Sequence, residues 1–145
     1  MIEVQGNLWN YWKAGAWLVV TTNGSVRKDG DAVMGRGIAK QAADYFPTLA
    51  PDLGQKIRHV GNHVFVFFDL RVLTMPVKYH WKQPASWGLI RQSIEQLVVV
   101  VNSLGINSVA MPRPGCGNGG LQWRDVRPLL ATLNDRFRVV EIKDS

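Results

Sequence analysis

Apolar and polar positions follow two periods along the chain, and each period marks out its own elements. Ile2 to Gln5 and Ala16 to Thr22 predict the first two strands. The second opens on a near-continuous apolar run, Ala16-Trp17-Leu18-Val19-Val20, of the kind covered on both faces of a sheet. Between them, Leu8 to Lys13 reads as a short helix. Ile38, Ala42, Tyr45 and Phe46 keep helical spacing over Gly37 to Phe46, and Pro47 closes that helix. A further short helix is expected over Pro51 to Arg58. His63 to Phe68 and Val72 to Pro76 are dense in β-branched and aromatic residues, so both read as strands, separated by the polar Asp69 and Arg71.

The clearest helix starts at Ser86, a candidate N-cap. Ile90, Ile94, Leu97, Val101 and Leu104 then recur at steps of four and three until Gly105 stops the pattern. Ser108 to Met111 predicts a short strand. A loop follows, then a helix with Val126, Leu129, Leu130 and Leu133 on one face, and a last strand from Arg138 to Ile142. Strands that alternate with helices imply an α/β fold, a largely parallel sheet covered by helices on both faces. No repeat, low-complexity tract or linker interrupts the pattern, so residues 1–145 are expected to form one domain.

Composition narrows the class. A chain of 145 residues buries roughly two-thirds of its unfolded surface, enough to fold without disulfides or metals. The single cysteine, Cys116, excludes an internal disulfide, and no Cys/His cluster has metal-ligand spacing, so no metal and no cofactor are expected. Apolar stretches such as Leu97 to Val101 fall far short of the roughly 20 residues of a membrane span. Met1-Ile2-Glu3-Val4 lacks the features of a signal peptide, and a soluble, cytoplasmic protein with no membrane contact is the expectation. The Asn23-Gly24-Ser25 sequon is then accidental. Lys and Arg number 17 against 11 Asp and Glu, a formal charge of +6. Phosphate-bearing ligands are attracted by such a surplus, yet the basic residues are dispersed, and a solvated basic surface explains them equally well.

Two glycine-rich segments interrupt the packing pattern, each where a strand hands over to a helix. One runs from Thr21 to Ala39 through Asn23 and Gly35-Arg36-Gly37; the other is Pro112 to Trp123, with Gly115-Cys116-Gly117-Asn118-Gly119-Gly120 at its centre. Ligands of open α/β sheets bind beyond the carboxyl ends of the strands, where glycines let backbone N–H groups approach a phosphate. Two such loops suit a ligand with two phosphates. Neither matches the G-x-G-x-x-G fingerprint or a P-loop, and either alone could be a mobile turn.

Four segments together carry a family resemblance. Val4-Gln5-Gly6-Asn7-Leu8, Val33-Met34-Gly35-Arg36-Gly37-Ile38-Ala39, Met75-Pro76-Val77-Lys78-Tyr79-His80-Trp81 and Pro114-Gly115-Cys116-Gly117-Asn118-Gly119-Gly120-Leu121-Gln122-Trp123 resemble the motifs of macrodomains. They are most similar to the branch holding the terminal ADP-ribose glycohydrolase and the antitoxins that remove ADP-ribose from thymidine in DNA. The resemblance covers essentially the whole chain. It implies a three-layer α/β/α fold with a mixed, mostly parallel sheet and an ADP-ribose cleft across its top. It further implies that Asn23, Met34, Gly35, Arg36, Gly37 and Ile38 line the distal ribose and pyrophosphate. Pro114, Gly115, Cys116, Gly117, Asn118, Gly119, Gly120 and Leu121 would form the second phosphate loop.

The sequence departs from the family pattern twice. Many macrodomains place an Asp beside the adenine where this chain has Asn7; an amide oxygen can still accept that hydrogen bond, and Asn7 can equally cap the helix at Leu8. The protein-directed glycohydrolase carries an aspartate in its glycine loop where this chain has Gly119, and there the chain is closer to the DNA-directed antitoxins. Lys78 stands at the position of the family's catalytic lysine. An amine drawn partly from water can attack a sugar carbon, displacing the linked group and leaving a lysyl–ADP-ribose intermediate for water to resolve; the alternative is a surface lysine. No pair of carboxylates of the glycosidase kind is offered. Asp29, Asp31 and Asp69 are candidate substitutes for that pair, though each reads more readily as a turn or surface acid; Cys116 reads as a small loop residue rather than a nucleophile, and Trp9, Trp81, Trp87 and Trp123 as packing or stacking residues.

The expected function is therefore an ADP-ribosyl glycohydrolase with Lys78 as nucleophile, acting on ADP-ribose linked to a nucleobase or an acidic side chain. A non-catalytic ADP-ribose-binding module, or a hydrolase of ADP-ribose 1″-phosphate or O-acetyl-ADP-ribose, are the alternatives. The expected partners are ADP-ribose and ADP-ribosylated DNA or protein, with weak nucleic-acid contact, and the chain is expected to be a monomer.

Overall fold

A computed structural model describes residues 1–143. Six strands form one sheet in the order β1-β6-β5-β2-β4-β3, with β1 Ile2–Gly6, β2 Trp17–Asn23, β3 Phe65–Phe67, β4 Val72–Lys78, β5 Val109–Pro112 and β6 Phe137–Ile142. Every neighbouring pair is parallel except β3 with β4. The helices α1 Leu8–Lys13, α2 Gly37–Tyr45, α3 Leu49–Val60, α4 Trp87–Leu104 and α5 Trp123–Val126 complete the fold.

The apolar run in β2 explains itself in this frame. Successive strand residues face opposite sides, so Leu18 and Val20 join one core with Leu8, Ile38, Ala42, Leu49 and Leu53 from α1, α2 and α3. Val19 joins the other, with Ile90, Ile94, Leu97 and Val101 of α4 and with Leu130. Both cores exclude water, and three layers result, as the resemblance implied. Ser86 Oγ accepts from the Leu89 N–H and Gly105 ends α4 in the left-handed conformation, as expected, but Leu104 lies beyond the buried stripe and is exposed.

Three elements differ from the sequence expectation. Helix α3 begins at Leu49, because Pro51 falls in its first turn, where a missing N–H leaves no bond unmade. Strand β3 is confined to Phe65–Phe67, because Phe68 to Leu70 turn as a 3₁₀ helix and Arg71, at φ 53°, reverses the chain into β4. That conformation is supported by the Arg71 guanidinium, which donates to the carbonyls of Trp12 and Ala16 and lies over the Trp12 ring. The last helix shrinks to α5 and a 3₁₀ turn over Arg127–Leu130, since Pro128 cannot continue the α-helical ladder, although Leu133 is still buried.

Candidate functional site

Because β1, β2, β4, β5 and β6 run parallel, their carboxyl ends meet on one edge of the fold. Strand β2 lies between β4 and β5, and the chain crosses from one side of it to the other, which opens a crevice at its carboxyl end. A cleft of about 1420 Å³ occupies that position. This exceeds the roughly 300–1,000 Å³ of ordinary small-molecule pockets, leaving room for a dinucleotide-sized ligand and a group attached to it.

One wall is the loop after β5. Gly115 and Gly120 adopt φ of 75° and 79°, which turn the backbone back on itself. The Leu121 N–H reaches the Gly115 carbonyl at 2.9 Å and the Gly120 N–H the Gly117 carbonyl at 3.2 Å, closing a compact ring. A Cβ at Gly119 would stand 2.4 Å from the Gly115 carbonyl oxygen and 2.8 Å from Ala85 Cβ, so no side chain fits there. The absence of an aspartate at Gly119 is thus built into the shape of the loop.

The opposite wall is the loop after β2. Asn23 spends both ends of its amide on this loop, donating to the Val33 carbonyl at 3.1 Å and accepting from the Ser25 N–H at 2.9 Å. These bonds fold residues 24–33 into a short hairpin, closed by an isolated bridge between Val26 and Ala32. They deliver Gly35, Arg36 and Gly37 to the cleft at the start of α2. The first turn of α2 has no side-chain cap, so its N–H groups stay available to an anion. The two loops approach each other closely: a Cβ on Gly37 would come within 3.8 Å of Asn118 Nδ2.

Lys78 closes β4 beside a register shift. Thr22 pairs with Pro76 but Asn23 pairs with Lys78, so Val77 is an extra residue, a bulge that re-aims the strand end. Three consecutive carbonyls there find partners outside the sheet. Ser93 Oγ donates to the Pro76 carbonyl at 2.7 Å, the Ser86 N–H to that of Val77 at 2.9 Å, and Asn62 Nδ2 to that of Lys78 at 3.0 Å. The lysine is half-buried and lines the cleft, and among the described residues no carboxylate pairs with it.

The cleft is electropositive. Among the described residues, Arg36, Lys78, Lys82 and Arg113 line it against one acid, Glu141. Glu141 is bound on both sides, by Lys143 at 2.6 Å and by Arg113 at 2.8 Å, and these cations hold its carboxyl below the usual range, Lys143 foremost. Arg113 also lies over the Trp123 ring; the Trp123 indole N–H donates to Glu3, and so does Arg127. The Arg127 hydrogen bond is the main cause of the lowered pKa of Glu3. This chain of contacts ties β1, β6 and α5 into one end wall. Burial pushes the Cys116 thiol up, and Arg113 offsets only part of that, which fits a packing residue better than a nucleophile.

Of the residues singled out in the sequence, Lys78, Asn23, Gly35 to Ile38 and Gly115 to Leu121 all line this cleft. Met34 and Pro114 are buried and do not line it. Asn7 caps α1, its Oδ1 accepting from the Trp9 N–H, and lines a separate cavity of about 500 Å³ with Trp9, Lys13 and Tyr45. Asp29 and Asp31 belong to the hairpin turn and Asp69 to the 3₁₀ turn before β4, all outside the cleft lining. Trp81 and Trp123 line the cleft; Trp9 and Trp87 do not. Thr21, Thr22 and Arg113, which fall inside the two glycine-rich segments, line it too, and so do Glu141 and Ile142, which were not anticipated. Their one sequence signal is position at the carboxyl ends of strands. Among the described residues no group of three or more His, Cys, Asp or Glu converges as a metal site would require, and no helix is long and apolar enough to cross a membrane.

A mostly parallel sheet with two glycine loops over its carboxyl edge is an architecture for diphosphate ligands. The family model of the Macro domain matches residues 28–130, and the chain belongs to that family. The DNA ADP-ribosyl glycohydrolase of Thermus aquaticus is 29% identical over 76% of this chain and 33% of its own length. The protein of that name from Mycobacterium tuberculosis is 30% identical, over 69% of this chain and 31% of its own length. The chain therefore spans about a third of the length of the curated relatives it matches. Among solved structures, the macrodomain of Mycobacterium tuberculosis DarG superimposes with a TM-score of 0.76 at 27% identity over the whole of both chains. Thermosipho africanus DarTG in complex with ADP-ribose matches with a TM-score of 0.69 at 26% identity, over 87% of this chain and 37% of that one.

Proposed function

We propose that this macrodomain is an ADP-ribosyl glycohydrolase that releases ADP-ribose from a modified nucleobase in DNA, with Lys78 as the nucleophile. The observation that carries the reading is the convergence of Lys78 with both glycine loops on one electropositive cleft. The names of the relatives, DNA ADP-ribosyl glycohydrolases, support the same substrate.

The loops after β2 and β5 hold the pyrophosphate through backbone N–H groups, and Arg36 and Arg113 supply positive charge nearby. This fixes the distal ribose against the end of β4. The Nζ lone pair of Lys78 attacks the anomeric carbon; a carbon–nitrogen bond forms while the bond to the base breaks, and the base leaves with the electron pair and takes up the proton that Nζ then sheds. Water then displaces Nζ at the same carbon, which frees ADP-ribose and restores the lysine. The bulge at Val77 and the bonds from Ser86, Ser93 and Asn62 keep the amine's backbone fixed through both steps.

The test is turnover of an oligonucleotide carrying one ADP-ribosylated thymidine. The parent protein should release ADP-ribose and Lys78→Ala should not, while both bind free ADP-ribose with similar affinity. Equal release by the two proteins sinks the assignment. The single acid of the cleft among the described residues, Glu141, is held by two cations and poorly placed to act as a base, which favours a second reading: a module that binds ADP-ribose without cleaving it. Binding by the parent with no release from DNA, peptide or metabolite substrates selects that reading.

A further inference from the structure

We propose that the exposed segment Tyr79 to Lys82, directly after Lys78, is a seat for the nucleobase that carries ADP-ribose and for the phosphate beside it, in an unpaired DNA strand. The inference rests on the glycohydrolase reading and names what lies beyond the ADP-ribose.

Lys78 is half-buried, yet every residue from Tyr79 to Pro84 is exposed. Two of them are large aromatics, Tyr79 at 58% exposure and Trp81 at 46%, a placement that no core packing explains. Trp81 and Lys82 line the cleft on the Lys78 side. The backbone beneath them is fixed. The Trp81 N–H donates to Ser25 Oγ at 3.1 Å, the Lys82 N–H to His80 Nδ1 at 3.1 Å, and the Gln83 N–H to the His80 carbonyl at 3.0 Å. Gly24 admits the segment, since a Cβ there would stand 2.7 Å from the Tyr79 carbonyl oxygen. A rigid backbone that presents exposed side chains is organised for contact.

The side chains carry the chemistry of single-strand recognition. The His80 and Trp81 rings lie near-parallel with centroids 6.0 Å apart, and the Lys82 ammonium sits 5.2 Å from the indole centroid. Both partners are exposed, so an incoming base can displace either and stack on the indole. No acid occurs from Val77 to Pro84. The hairpin joined to this segment through Ser25 adds Arg27 and Lys28, and Arg58 docks on the Arg27 carbonyl at 2.9 Å. Asp29 neutralises Arg27, but Lys28, Arg58 and Lys82 have no acidic partner among the described residues. Aromatic planes interleaved with unpaired cations fit bases and phosphates; an acidic peptide would use the cations and leave the planes idle. A base must also leave its duplex stack to bring its linked ribose to Lys78 in a cleft.

The experiment measures binding in the Lys78→Ala protein, where the substrate survives, using a fluorescent single-stranded oligonucleotide with one ADP-ribosylated thymidine, free ADP-ribose, and a peptide with one ADP-ribosylated glutamate. The oligonucleotide should bind at least tenfold more tightly than ADP-ribose. Adding Trp81→Ala should weaken the oligonucleotide tenfold more than it weakens ADP-ribose, Trp81→Phe should restore most of that loss, and Lys82→Ala should flatten the salt dependence. Equal losses for oligonucleotide and ADP-ribose, no loss for either, or an equal loss for the peptide overturns the proposal. Turnover by the parent protein separates the two readings. Release from the oligonucleotide that is indifferent to Trp81 removes the seat and leaves the glycohydrolase; Trp81-dependent affinity without release does the reverse.

Discussion

The side-chain amide of Asn62 donates a 3.0 Å hydrogen bond to the carbonyl oxygen of Lys78. Asn62 follows α3 and Lys78 ends β4, so this bond joins a helix terminus to the strand end that carries the proposed nucleophile. Asn62→Ala should lower stability by about 1 kcal/mol, the ordinary worth of one such bond. Release of ADP-ribose should fall several-fold while the affinity for free ADP-ribose stays within twofold. A uniform loss of binding and turnover would instead mark a general unfolding effect, and thermal melts alongside the kinetics decide between them.

The loop after β5 tolerates no added atom at one glycine and tolerates it freely at another. A Cβ on Gly119 meets the Gly115 carbonyl at 2.4 Å, whereas Gly117 has nothing within 4 Å. Gly119→Ala should therefore weaken ADP-ribose binding at least tenfold and cost about 1–3 kcal/mol of stability through overpacking. Gly117→Ala should leave the fold's stability within about 0.5 kcal/mol of the parent. Calorimetric titration and melting of the two variants side by side test the contrast.

Ser93 is buried at 1% exposure and its hydroxyl donates to the Pro76 carbonyl at 2.7 Å. Ser93→Ala leaves that carbonyl without this donor, a loss of about 1–3 kcal/mol. Denaturant unfolding should show a lower midpoint with an unchanged slope. Ser93→Thr, which keeps the hydroxyl, should recover part of the loss.

Burial raises the Cys116 pKa above its ordinary value, with the Arg113 charge opposing. The thiol is the protonated form at lower pH and the thiolate is the reactive one, so alkylation by iodoacetamide should be slower than for an unstructured cysteine at pH 7–8. Its rate should still be rising at a pH where the unstructured thiol has levelled off. A rate plateau below the ordinary cysteine value contradicts the assignment. Saturating ADP-ribose should protect the thiol, because Cys116 lines the cleft.

Much of the fold was legible because hydrophobic period reports burial directly. The α4 stripe, its Ser86 cap and its Gly105 stop were all written in residue types with one physical use each. The same held for β2, whose apolar run requires cover on both faces. Arg71 was not legible as the reversal before β4, since a non-glycine residue at positive φ depends on tertiary bonds, here to Trp12 and Ala16. The two glycine loops and Lys78 were found through strand ends and motif resemblance. Glu141 and Ile142 were missed because only the folded sheet brings the end of β6 to the cleft beside β5 and β2. Asn62 was invisible for a related reason: its one bond to the site crosses from a different element.

The connection between β4 and α4 is clamped at both margins of the cleft, by Ser25 Oγ on the Trp81 N–H and by the Gly119 carbonyl on the Ala85 N–H at 3.0 Å. Both clamps are made by backbone N–H groups, so they do not depend on which side chains the connection bears. The exposed side chains from Tyr79 to Pro84 thus hang on a backbone held from outside the segment. Substitutions from Tyr79 to Pro84 can therefore reshape the cleft rim on the Lys78 side while both glycine loops and the lysine stay in place.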